Sequence, residues 1–106
     1  MSQANAVPEQ DLDRRRAIAA AGVAALQRDA ALNGIEILSI GSLARWDFRI
    51  HSDIDLLALG PMPTERRVII ERLVAKHMRE TGIPYDLMYE ADLTPQAVAD
   101  LLNDRG

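Results

Sequence analysis

The chain has 106 residues, no cysteine and a formal net charge of −4 at pH 7, which leaves room for one modest core and excludes a disulfide framework or a thiolate zinc site. Hydrophobic residues make up 48% and charged residues 26%, ordinary proportions for a globular protein, and no apolar run approaches the roughly 20 residues that would span a membrane. The acidic balance argues against broad nucleic-acid binding through phosphates, and with no signal-peptide pattern at the N-terminus the cytoplasm is the expected compartment.

Residues 1–7 are small and polar and are expected to form a flexible N-terminus, leaving 8–106 as a single domain. A helix is predicted from near Pro8 to about Leu32, where Leu12, Ala19, Val23, Leu26 and Ala30 recur at helical steps. That stripe is rich in alanine, so the helix should lie close against a neighbour. Arg14, Arg15 and Arg16 read as a solvated helix face, with service to a partner as the sharper alternative. Asn33-Gly34 stops the helix. Ile35 to Ile40 is rich in β-branched residues and reads as the first strand, ending at Gly41.

From Ser42 to about Trp46 a short helix is expected, then an irregular segment through Ser52. Arg45 and Arg49 in this region either neutralise phosphate charge by bidentate hydrogen bonding or are simply solvated. His51 has only carboxylates nearby and reads as a turn or partner-facing residue. The second strand, Asp53 to Leu59, breaks at Gly60-Pro61-Met62-Pro63. Thr64 is placed as the cap of a helix whose Ile69, Ile70, Leu73, Val74 and His77 share a face, with Gly82 closing it. Ile83 to Tyr89 reads as a third strand, and Asp86 is the acid inside it. Thr94-Pro95 then opens a short last helix carrying Val98, Leu101 and Leu102. Strands alternating with helices give an α/β domain with a small mixed sheet and helices packed largely on one face.

The chemistry concentrates between Gly41 and Leu57. Alternation along a strand sends Asp53 and Asp55 to one face while Ile54 and Leu56 take the other, so a buried apolar face would hold both carboxylates along an exposed edge. Two fixed carboxylates suit Mg²⁺, which completes its shell with water and substrate phosphate. Gly41 lets a phosphate chain approach the backbone, and Ser42 is placed at an N-cap beside free N–H groups.

Gly41-Ser42, ten residues, then Asp53-Ile54-Asp55 resembles the signature of the DNA polymerase beta-type nucleotidyltransferases. Over nearly the whole chain the likeness is to their minimal nucleotidyltransferases, small proteins often paired with HEPN-type ribonuclease toxins. The resemblance implies that fold, and it implies Mg²⁺ held by Asp53, Asp55 and a third carboxylate on the strand after the middle helix, which here is Asp86. Gly41, Ser42, Arg45 and Arg49 become candidate nucleotide-binding residues. It further implies ATP as nucleotide donor, transfer of AMP to a tyrosine hydroxyl of a toxin, an antitoxin role and a hetero-oligomer with that toxin. Relatives commonly carry a glycine shortly after the Gly-Ser-x-Ala-Arg run, where this chain has Trp46. That ring is read either as a core residue or as an exposed anchor for the acceptor protein. The alternatives are an aminoglycoside-type nucleotidyltransferase, an antitoxin that neutralises by binding alone, and a regulatory nucleotide-binding module.

Overall fold

The computed structural model describes residues 9–45 and 48–103. Helix α1 spans Glu9–Leu32, strand β1 Ile37–Ile40, α2 Gly41–Ala44, β2 Ile54–Ala58, α3 Thr64–Thr81 and β3 Tyr85–Tyr89, followed by a 3-10 turn at Glu90–Asp92 and by α4, Pro95–Asn103. Residues 1–7, expected to be flexible, and Trp46, expected in the core or at an acceptor-facing rim, lie outside the described residues.

The alanine-rich stripe of α1 does what small side chains permit. Ala19, Val23, Leu26 and Ala30 are all buried, and α3 meets them with Ile70, Val74 and Met78. The helices approach so closely that a Cβ on Gly22 would run into the methyl of Thr81. Each fully buried Leu, Ile or Val here contributes about 1.5–3 kcal/mol through the apolar surface it removes from water. The inward stripe of α3 is rotated one residue from the expected one, since Ile69 is 41% exposed whereas Ile70 and Met78 are buried. Thr64 was expected as the cap of α3, but Pro63 holds that position and its carbonyl accepts the Arg66 and Arg67 N–H groups. An extended proline just before the helix leaves Thr64 as its first helical residue.

The sheet has the order β1-β2-β3, with β1 antiparallel to β2 and β3 parallel to it. The parallel pair requires a crossover, which α3 supplies. Ile37, Ile54, Leu56 and Ala58 turn toward α1 and α3 and join their core. The α/β class, the mixed sheet and the helices gathered largely on one face all stand as expected. Both β1 and β3 start two residues later than the sequence pattern suggests, because the preceding residues finish helices. Gly34 at φ +69° closes α1, its N–H reaching Ala31 O while the Ile35 N–H reaches Ala30 O, the paired bonds of a Schellman cap. Before β3, the Ile83 N–H is taken by Thr81 Oγ1.

Beyond β3, Arg67 binds Asp92 through two bonds of 2.9 and 2.6 Å and lies over the Tyr89 ring. The Gly60 N–H donates to Glu90 Oε1 at 2.7 Å, so the turn after β3 is tied both to α3 and to the end of β2. Thr94 caps α4 as expected, its Oγ1 accepting the Ala97 N–H at 3.1 Å.

His77, a boundary residue by sequence, links the two long helices through Nε2 and Asp29 Oδ2, 2.9 Å apart. That hydrogen bond holds the Asp29 carboxyl below its ordinary value; desolvation opposes it, and the charges of Lys76 and His77 add to it. A carboxylate with a lowered folded-state pKa contributes stability above its unfolded value and loses it as pH falls through the folded one. Asp29→Asn is therefore expected to melt below wild type at neutral pH, with the gap closing as pH drops below the ordinary carboxylate range. Thermal melts across that range check this, and a gap independent of pH would refute it.

Candidate active site

Central position fixes β2 from both sides, and with it Asp55. Ile54 and Leu56 are fully buried against the helices, so Asp55 projects from the opposite face of the sheet. The register of the parallel pair sets Asp86 directly beside Asp55; neighbouring strands lie about 4.7–4.9 Å apart and paired residues point the same way. Asp53, two residues back along the chain and one before the strand, stands roughly 6–7 Å away at the backbone. The structure thus sets Asp53 and Asp86, two of the three carboxylates expected from sequence, near enough for their charges to act on the third, Asp55. Asp53 and Asp86 are exposed and Asp55 is half-buried. Burial pushes the Asp55 carboxyl above its ordinary value, the negative charges of Asp86 and Asp53 push it further, and Arg45 pulls it partly back.

Gly41 meets this group from the β1 side. Ile40 pairs with Asp55, and the next residue turns at φ +71°, a conformation that costs glycine least. A Cβ at Gly41 would stand 2.6 Å from Asp55 Oδ2. The α2 turn is therefore seated against the carboxylate, and the buried Leu43 anchors its far side. Ser42 was expected at the N-cap, but Ile40 occupies it and no side-chain hydrogen bond caps the helix. The positive φ at Gly41 bends the chain out of β1 so abruptly that the cap falls two residues earlier, placing Ser42 in the first turn of the helix.

Arg45 ends α2 and is exposed, close enough for its charge to act on Asp55. Arg49 lies in the turn before Asp53, where its N–H donates to Ser52 Oγ at 2.8 Å and its carbonyl accepts the Ser52 N–H at 3.1 Å. His51 sits exposed at the tip of that turn.

The arginine run of α1 is the feature sequence reasoning misjudged. Only Arg14 of the three is classed as exposed; Arg15 donates to the carbonyls of Arg49 and Ser52, and Arg16 to that of Phe48. The signal was present in the spacing. Between Leu12 and Ala19 the inward stripe calls for a residue at 15 or 16, and arginines fill both places.

Asp53, Asp55 and Asp86 offer oxygen donors alone, and their negative charge, offset in part at Asp55 by Arg45, is of the kind that suits a hard divalent cation. Among the described residues no three His, Cys, Asp or Glu stand converged in a ligating cluster, and Mg²⁺ needs none, because one or two carboxylates with waters and phosphate complete its shell. Among the described residues no helix is long and apolar enough to cross a membrane.

Residues 24–105 match the family model described as Nucleotidyltransferase domain, an interval that includes the Gly41 turn and every carboxylate of the site. No curated protein and no solved structure matches the chain.

Proposed function

We propose that this chain, which belongs to the nucleotidyltransferase domain family, transfers AMP from ATP to a hydroxyl of a partner protein, a HEPN-type toxin whose tyrosine accepts the nucleotide. Nucleotidyl transfer itself follows from the family, and the fold is that of the polymerase beta-type nucleotidyltransferases. The observation that carries the reading is the pairing of Asp55 with Asp86 on the open face of the sheet, with Gly41 set against Asp55 Oδ2. The protein partner and the antitoxin role rest on the resemblance of the Gly41–Leu57 stretch and complete the proposal.

Asp53 and Asp55 would hold Mg²⁺, with Asp86 as a further ligand on the acceptor side. When bound, the ion offsets charge on the transferring phosphoryl group and lowers the acceptor hydroxyl's pKa. The first N–H groups of a helix have no partner within it, and those of the α2 turn donate to the triphosphate. Gly41 keeps the backbone accessible for that contact. Arg45, whose charge already reaches Asp55, would offset phosphate charge from the end of α2, and Arg49, in the turn before Asp53, would do the same. The acceptor oxygen attacks the α-phosphorus, its proton passes to Asp86, and pyrophosphate leaves with the electrons of the broken bond.

The test is incubation with each NTP, Mg²⁺ and the protein encoded beside it, with intact mass reporting a nucleotide adduct and a parallel assay reporting pyrophosphate. An AMP adduct on a tyrosine is the expected result. Pyrophosphate release with an aminoglycoside but not with protein would overturn the acceptor assignment, and binding without any turnover would overturn the enzymatic one.

Ser42→Ala is expected to slow transfer by no more than about tenfold, since a single neutral hydrogen bond is worth about 0.5–1.5 kcal/mol and the neighbouring backbone donors remain. Loss of all measurable transfer in this variant would show that the hydroxyl has a larger task than steadying a phosphate.

A further inference from the structure

Asp53 stands one residue before β2, outside the strand ladder that holds Asp55. Its backbone is nevertheless bracketed. On its C-terminal side the Ile54 N–H donates to Pro84 O at 2.9 Å. On its N-terminal side the carbonyl of Ser52, the oxygen of the peptide that joins Ser52 to Asp53, accepts a bond of 2.9 Å from the Arg15 guanidinium. The same guanidinium donates through Nε to Arg49 O at 3.2 Å and lies 5.5 Å from the centre of the buried Phe48 ring. Arg49 O also takes the Ser52 N–H, and Ser52 Oγ takes the Arg49 N–H. Arg15 thus spans both ends of a closed turn from a helix more than thirty residues away in the chain.

We propose that Arg15 is a positioning residue for Asp53: it holds the Ser52–Asp53 peptide plane so that the Asp53 carboxylate is presented beside Asp55. A guanidinium suits this task because its planar fork reaches two carbonyls at once. Without it the Ser52 carbonyl, the oxygen of the peptide that enters Asp53, loses the 2.9 Å bond that ties it to α1, and displacement of a reacting group by about 1 Å can cost about a hundredfold in rate. Arg16 reaches the same segment at Phe48 O, 3.4 Å away. The consequence for catalysis rests on the reading of the site given above, whereas the consequence for the backbone does not.

The experiment compares Arg15→Ala, Arg15→Lys and Arg14→Ala with wild type by amide hydrogen exchange and by kinetics at varied ATP and Mg²⁺. Arg15→Ala is expected to raise exchange at Ser52–Ile54 while the β1 amides keep their protection, to lower kcat about 10- to 100-fold, and to raise the Mg²⁺ concentration for half-maximal rate, with KM for ATP changed by less than about threefold. Arg15→Lys, which keeps the charge but reaches one carbonyl at a time, should fall between, and Arg14→Ala should match wild type. Unchanged exchange at Ser52–Ile54, or an equal rise throughout the sheet, overturns the proposal, as does a folded Arg15→Ala enzyme with wild-type kcat and Mg²⁺ dependence. Should wild type itself show no transfer, the catalytic reading fails, and the exchange pattern still decides whether Arg15 holds Asp53.

Discussion

Asp55→Asn is expected to lose nucleotidyl transfer by about a thousandfold or more, the scale on which removal of a preorganised charge-stabilising group is felt, while the protein without ligands melts above wild type at neutral pH. Both halves come from the same geometry. Asp55 sits between Asp86 on the next strand and Asp53 on its own, and burial together with those two charges raises its carboxyl above the ordinary value. A carboxyl with a raised folded-state pKa is ionised at a cost to the fold once the pH exceeds that value, and that cost is absent below the unfolded pKa. The melting advantage of the asparagine variant should therefore be present at neutral pH and disappear in acid, where wild-type Asp55 is itself protonated. Asparagine keeps the shape, so the core beneath, with Ile54 and Leu56 fully buried, is undisturbed. Differential melts at neutral and acidic pH together with a pyrophosphate assay test the pair of outcomes. Retained transfer would remove Asp55 from the chemistry; a variant that unfolds would make its role structural.

Gly41→Ala carries the second large effect, and here activity and stability fall together. The added Cβ would lie 2.6 Å from Asp55 Oδ2, and the residue would have to hold φ +71°. Backbone strain of this kind costs on the order of 1–3 kcal/mol, and the steric contact must displace either the α2 turn or the Asp55 carboxylate. Transfer is expected to drop by about a hundredfold, because the carboxylate and the phosphate-facing backbone can no longer keep their spacing. Gly41→Asn separates the two causes. Asparagine tolerates the left-handed conformation yet brings the same Cβ, so it should recover part of the stability and little of the activity. Should asparagine restore full transfer, the contact with Asp55 is unimportant and backbone conformation alone required the glycine.

Much of the architecture was legible because it follows from local period and punctuation. Gly34 and Gly82 end α1 and α3 in the left-handed conformation that glycine reaches most cheaply. Thr94 caps α4, and the stripe from Ala19 to Ala30 is buried. The two-residue repeat of β2 sufficed to put Asp55 on the face away from Ile54 and Leu56, since successive strand residues must alternate whatever lies beside them. The Gly-Ser turn and its distance from the Asp pair were likewise written in the chain.

What only the tertiary structure decided is which distant groups meet. No local pattern states that Asp86 pairs with Asp55 and not with its neighbours; a shift of one residue along β3 would have turned Asp86 into the helix-side core, and the packing of α3 over the sheet selects the register. Nor does a run of three arginines disclose that Arg15 and Arg16 cross to the carbonyls of the 48–52 turn, because a long flexible side chain takes its partner from whatever the fold brings within reach. Ser42 missed its expected cap for a related reason, the helix start being set by a sharp turn at Gly41 that presses against a residue on another strand. Sequence determined which residues face the site by short-range alternation, and tertiary structure determined what they face, because pairing register and side-chain reach are settled by contacts far apart in the chain.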